Sequence, residues 1–173
     1  MMEKQNTMAL SSKTIAIRGL LIALAMVLSW IEARFAFAMM VPGMKLGLTN
    51  IVVLVALYKL SEKDAIFINV VRILLVGITF GNMFSFMYSL AGGVLSCVVM
   101  IIAKKYVKLS MITVSVLGGV FHNVGQIIVA MVVMNTVHVV YYLAILWVSG
   151  IVAGIVVGVL SGQVVKRIPD LTI

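Results

Sequence analysis

The sequence predicts an all-α membrane protein, a bundle of six transmembrane helices with both termini in the cytoplasm. Three observations predict it: the composition, the apolar segments and the placement of the basic residues. Of 173 residues, 64% are hydrophobic and 10% charged, with a mean hydropathy of +1.25. Soluble domains are about half apolar and about a quarter charged. Six apolar segments follow one another, at Thr14–Phe37, Lys45–Lys59, Asp64–Phe80, Met83–Lys104, Met111–Met134 and His138–Val165. With six spans, one side of the membrane collects ten of the 13 basic residues: Lys4, Lys13, Arg18, Lys59, Lys63, Lys104, Lys105, Lys108, Lys166 and Arg167. Arg34 and Lys45 fall on the other side and Arg72 inside the bilayer. By the positive-inside rule the basic side is cytoplasmic. The formal charge of +8 is thereby explained by topology, and no nucleic-acid partner is expected.

The chain reads as one membrane domain, residues 1–173, with a short cytoplasmic tail over about residues 1–13. That tail, "MMEKQNTMALSSK", has no short apolar core followed by a small-residue cleavage site, so the first segment is expected to stay in place as an anchor. This segment carries Gly19 and Ala23 four residues apart, a small-residue pair that either packs within the bundle or docks a partner helix. A membrane crossing takes about 20 residues at 1.5 Å each. The first, fourth, fifth and sixth segments reach it; the second and third, at about 15–17 residues, do not.

Before the second segment, "VPGMKLGLTN" places a Pro42-Gly43 turn ahead of Lys45 and Asn50. The third segment buries Arg72, about eight residues in, with Asn69 three positions earlier on the same helix face. Ionisable groups at membrane depth are costly and commonly mark a site. No acidic residue lies at the same depth, although Glu32 is within reach from the outer end of the first span. Arg72 therefore either caps carbonyls of a broken helix or meets an anionic ligand.

"GITFGNMFSFMYSL" joins the third and fourth spans, with Asn82 at the turn and Ser85, Tyr88 and Ser89 after it. These residues and the Pro42-Gly43 turn either close over an outward-facing pocket or form ordinary interfacial turns. Ala91, Gly92, Gly93 and Ser96 give the fourth span a small-residue packing face, and Cys97 is expected to be a buried packing residue. In the fifth span "FHNVGQ" sets His122, Asn123 and Gln126 on one face, with Gly119 a turn earlier leaving room beside the imidazole. Such a face either hydrogen-bonds to neighbouring helices or walls a polar cavity, and the cavity is the preferred reading. The sixth span repeats Gly150, Gly154, Gly158 and Gly162 at every fourth position, a second packing face.

The chain has no paired carboxylates, aspartate-rich metal motif, phosphate-binding glycine loop or Cys/His set at metal-ligand spacing. Neither catalysis nor a cofactor or metal is expected.

"PGMKLGLTN", "GNMFSFMYSLAGG" and "GGVFHNVGQ" together resemble the membrane family named heptaprenyl diphosphate synthase component I, also called Gx transporters, over about residues 14–165. That family is similar in size and span count to the substrate-binding S-components of energy-coupling factor transporters. The resemblance implies a six-helix protein that captures a small molecule from outside. It also implies dependence on a transmembrane coupling protein and ATPase subunits for energy. It carries over to Lys45 and Asn50, to Asn82 and Ser85, and to His122, Asn123 and Gln126, with Arg72 between the first two motifs. Gly19 and Ala23 would then face the coupling protein.

The leading expectation is a substrate-capture subunit in a bacterial cytoplasmic membrane, with a pocket wall holding Arg72, Lys45 and His122 without nearby acids. Such a wall suits an anionic or polar nutrient, and Phe84, Phe86 and Met87 could hold an apolar portion. The alternative is a membrane anchor or accessory subunit for isoprenoid or quinone synthesis, in which Lys104, Lys105 and Lys108 recruit a soluble enzyme or anionic lipid. A secondary transporter working alone would want a coupling carboxylate within the membrane.

Overall fold

The computed structural model describes residues 12–36 and 47–169, and no strand occurs among the described residues. Six helices follow in order: α1 (Ser12–Ala36), α2 (Leu48–Lys59), α3 (Glu62–Thr79), α4 (Met83–Lys105), α5 (Met111–Val133) and α6 (Leu143–Arg167). A 3-10 segment, Val137–Tyr142, leads into α6. The N-terminal tail through residue 11, the Pro42-Gly43 turn and Lys45 lie outside the described residues.

The helices match the six apolar segments, and local chemistry sets their ends. Ser61, Asn82 and Ser110 cap α3, α4 and α5 by accepting the backbone N–H three residues on, at 3.1, 2.7 and 3.3 Å. The third helix starts at Glu62, ahead of the expected Asp64, because Ser61 is the cap and the two acids suit the positive helix terminus. The sixth segment departs further from expectation. Its opening is wound as a 3-10 helix after Thr136, where β-branched Val137, Val139 and Val140 disfavour the α-helix.

Four spans are long and apolar enough to cross a membrane: Thr14–Arg34, Met83–Lys105, Met111–Val133 and Val137–Arg167. The helix α3 carries Glu62, Lys63, Asp64 and Arg72, and α2 has only 12 residues, about 18 Å at 1.5 Å each. The fold explains the short helix. Residues Val52 to Leu57 of α2 are all buried, on every side, beneath α1, α3 and α6. A helix apolar all round belongs in a core, and α2 is that core, joined by Leu21 and Ala25 of α1, Ala65 and Ile68 of α3, Met100 of α4 and Val114 of α5.

Outside, large apolar side chains stand exposed on several helices, among them Leu20, Ile78, Val132, Val148 and Val152. A multi-pass helical membrane protein has this surface, with lipid as its solvent.

The helix α5 packs closely on α4 and α6, through glycines. A Cβ at Gly119 would lie 2.5 Å from the Gly150 carbonyl oxygen, and one at Gly154 would lie 2.5 Å from Val116 Cα. On the other flank, a Cβ at Gly125 would come within 2.8 Å of Ala91 O and Gly92 Cα. The small-residue faces of α4 and α6 thus work inside the bundle, as expected, although Gly162 meets only Met111 Sδ, at 3.8 Å. The pair on α1 does not: Gly19 and Ala23 are exposed, and a Cβ at Gly19 would touch nothing. Cys97 is buried in the core, as expected.

Most of the basic residues sit at one end of the bundle, where polar contacts tie the helices together. Arg18 of α1 pairs with Asp64 of α3, Nε lying 2.6 Å from Oδ1. Lys105 of α4 reaches Glu62 of α3 at 2.9 Å. Lys104 donates to the Leu57 carbonyl and lies 4.8 Å from the centre of the Tyr58 ring.

Candidate binding pocket

At the opposite end from that basic rim, the helices part around a cavity of about 440 Å³. Every helix contributes to its wall: Ser29 and Glu32 from α1, Thr49 and Asn50 from α2, Arg72 and Val76 from α3, Ser85 and Ser89 from α4, Ser115, Gly119, His122 and Asn123 from α5, and Gly150, Gly154 and Val157 from α6. Phe80, Gly81 and Asn82, at the α3–α4 turn, complete it, as does Gly47 before α2. Its size falls in the range of small-molecule sites, roughly 300–1,000 Å³.

Arg72 is buried at 7% exposure on an unbroken α3. Its Nε and Nη2 donate to Asn69 Oδ1 at 3.2 and 2.9 Å, and Asn69 Nδ2 donates to the Gly93 carbonyl of α4 at 2.9 Å. The broken-helix alternative is thereby excluded, because the guanidinium rests on a side-chain amide that is itself anchored to the next helix. Glu32 is buried at 8% exposure and meets the start of α2. Its Oε1 accepts from Gly47 N–H and its Oε2 from Thr49 Oγ1 at 3.3 Å, while Ser29 and Thr49 share a hydroxyl contact of 2.9 Å. Gly47 adopts φ 71°, a left-handed conformation that glycine reaches without steric cost.

Two faces of α5 serve the site, where one was expected. Gly119 and Asn123 turn to α6, Asn123 Nδ2 donating to the Leu146 carbonyl at 2.6 Å. His122 turns to α4, and its ring leans on Gly92, 3.1 Å from where a Cβ would stand. The room beside the imidazole therefore comes from Gly92 and not from Gly119, whose missing side chain admits the Gly150 backbone instead.

Of the residues expected to form the site, the structure brings together Asn50, Arg72, Asn82, Ser85, His122 and Asn123. Gln126 is buried at 6% exposure but stands apart from the cavity wall. Lys45 lies outside the described residues. Phe84, Phe86 and Met87 do not line the cavity: Phe84 points outward at 57% exposure, and Phe86 covers Gly77. The apolar lining is instead Ala33, Val76, Phe80, Ala153 and Val157.

A larger correction concerns charge. The sequence suggests a wall of cations without nearby acids, yet Glu32 lines the same cavity as Arg72. Its place in the sequence puts it near the outer surface; the α1–α2 packing turns it inward. Thr49, Ser29 and Ser115 also escape a reading of the sequence, since single hydroxyl residues in apolar helices usually return their bonds to their own backbone.

Among the described residues, no group of three His, Cys, Asp or Glu could hold a metal ion. Fold and pocket together define a multi-pass α-helical membrane protein with a cavity of mixed polar and apolar lining at one end of its bundle. The family model for heptaprenyl diphosphate synthase component I matches residues 21–164, and the chain belongs to that family. No curated protein matches the chain, nor does any solved structure.

Proposed function

We propose that the chain is the substrate-capture subunit of a bacterial uptake transporter, S-component-like, set in the cytoplasmic membrane with six spans and both termini inside. The observation that carries this reading is the cavity itself: about 440 Å³, lined by all six helices, with polar side chains converging on it from α1 to α5. Packing alone has no use for a buried arginine held by an asparagine at the edge of a void. The basic rim at the far end supports an orientation with that rim in the cytoplasm, so that the cavity takes its small polar substrate from outside. Energy comes from partner subunits, a transmembrane coupling protein and ATPases, and the outward-facing Gly19 and Ala23 of α1 offer a close-approach surface for the former. The chain itself performs no catalysis; the polar groups of the wall bind and orient a ligand.

The anchor alternative rests on the cytoplasmic lysines, and two of these are engaged within the bundle, Lys104 on Leu57 and Tyr58 and Lys105 on Glu62. The test is a thermal-shift screen of the purified protein in detergent against vitamins, small carboxylates, amino acids, flavins, and isoprenoid and quinone precursors. Arg72→Ala and His122→Ala are run alongside. A ligand at 100 times its dissociation constant stabilises by about 2.7 kcal/mol. Capture predicts at least one such compound, with the shift lost in both variants while they remain folded. A shift that survives both substitutions would remove the pocket from the binding event.

A further inference from the structure

The capture reading leaves the charge class of the substrate open, and the two formally charged side chains among the described lining residues bear on it. Arg72 and Glu32 face one cavity from α3 and α1, both more than nine-tenths buried. Among the described residues, the hydrogen-bond partners of both are uncharged. Arg72 gives Nε–H and one Nη2–H to Asn69 Oδ1, an uncharged acceptor. Three of the five guanidinium N–H donors remain. Glu32 receives one neutral donor on each oxygen, from Gly47 N–H and from Thr49 Oγ1. A carboxylate has about four lone-pair positions, so acceptor capacity remains on both oxygens.

Resting on the proposed capture function, we propose that the cavity takes a zwitterionic small molecule, its carboxylate or other anionic group on Arg72 and its ammonium or cationic nitrogen on Glu32. The reason is charge balance at two buried side chains. An anion seated on Arg72 brings like charge towards Glu32, and a cation seated on Glu32 does the same to Arg72. Like charges juxtaposed in a desolvated site weigh heavily against a ligand. A molecule carrying both charges answers each wall group and adds no net charge. The further polar lining, with Asn50, Ser85 and Asn123, suits a hydrogen-bonding ligand. The volume, about 440 Å³, is that of a small-molecule site.

The test uses the full chain in detergent at pH 8, where an ordinary imidazole is uncharged. A library of zwitterions that fit this volume is screened by thermal shift beside their desamino acids and their decarboxylated amines. Tryptophan, indole-3-propionate and tryptamine form one such triplet. Hits are expected among the zwitterions, each binding at least tenfold more tightly than either of its analogues. Glu32→Gln should erase the tenfold preference over the desamino acid, and Arg72→Gln the preference over the amine. Desamino acids binding as well as or better than the zwitterions would overturn the proposal and leave capture of an anion standing. Hits confined to amines would also overturn it. No stabilisation by any of the three classes would overturn this proposal, while the capture reading is decided by the broader screen above. The wild-type comparison needs no variant, so it decides the matter even where the Glu32→Gln protein fails to fold.

Discussion

Asn69 and Arg72 form one unit: a single amide oxygen accepts two N–H bonds from the guanidinium, at 3.2 and 2.9 Å, while the amide nitrogen ties the pair to Gly93 on the next helix. The close approach is made possible at Gly93, where a Cβ would stand 3.5 Å from Asn69 Nδ2 and 2.6 Å from Ile73 Cδ1. Truncating Asn69 strips two bonds from a buried cation and one from a buried carbonyl. An unsatisfied buried polar group costs about 1–3 kcal/mol, more for a charged one. Asn69→Ala is expected to lower the unfolding midpoint in detergent by that order and to weaken any ligand that needs Arg72. A variant with wild-type stability would mean that the guanidinium finds other partners.

Helix spacing gives a second prediction. At Gly125 an added methyl would meet the backbone of Ala91 and Gly92 at 2.8 Å, and backbone cannot swing aside as a side chain can. Gly125→Ala should destabilise by about 1–3 kcal/mol through forced separation of α4 from α5. Gly162→Ala is the control, because its methyl meets only Met111 Sδ at 3.8 Å. Thermal unfolding of the two variants side by side checks the difference, and equal midpoints would argue against the close α4–α5 seam.

At the basic end, Arg18 and Asp64 join α1 to α3, with side-chain exposures of 23% and 10%. Exposed pairs contribute up to about 1 kcal/mol, and this one is only partly screened. Asp64 also accepts from Ser61 Oγ at 2.6 Å. A double-mutant cycle of Arg18→Met and Asp64→Asn should give a coupling of about 1 kcal/mol that shrinks in high salt. Strict additivity would show that the ion pair contributes nothing.

The two sides of α5 should also separate in function. Replacing Gly92 by Ala puts a methyl 2.7 Å from the His122 carbonyl oxygen and 3.1 Å from its ring. Gly92→Ala is therefore expected to displace the imidazole and reduce ligand-induced stabilisation along with basal stability. Gln126→Leu, away from the cavity wall, should leave ligand-induced stabilisation intact. Thermal shift with a ligand from the screen distinguishes them, and loss of binding in the Gln126 variant would place that amide in the site after all.

The helical class, the six segments and part of the candidate pocket are legible in the sequence, because hydropathy is a local property and a lone arginine in an apolar helix is conspicuous. Helical spacing alone sets Asn69 beside Arg72, and the structure bonds the two. Packing between helices is what the sequence withholds. Whether Gly119 or Gly92 makes room for His122 depends on which neighbour faces which side of α5, and spacing along one helix carries no such information. Glu32 is misplaced for the same reason: its inward turn depends on Gly47 and Thr49 of α2, more than a dozen residues away. Nearness in sequence assigns the aromatic residues after Asn82 to the pocket, and the rotation of α4 sends Phe84 outward.

The enclosed α2 has a consequence for how the chain is made. About 18 Å of helix is shorter than some 30 Å of hydrocarbon, and this one keeps almost no side for lipid once the bundle is complete. It is synthesised second, yet one of the helices packed on it, α6, is synthesised last. Until the ribosome has delivered that final helix, the core has an open flank and the pocket lacks the wall formed by Gly150, Gly154 and Val157. A nascent chain stopped short of α6 is thus an unfinished vessel, with its core and its cavity open along one flank.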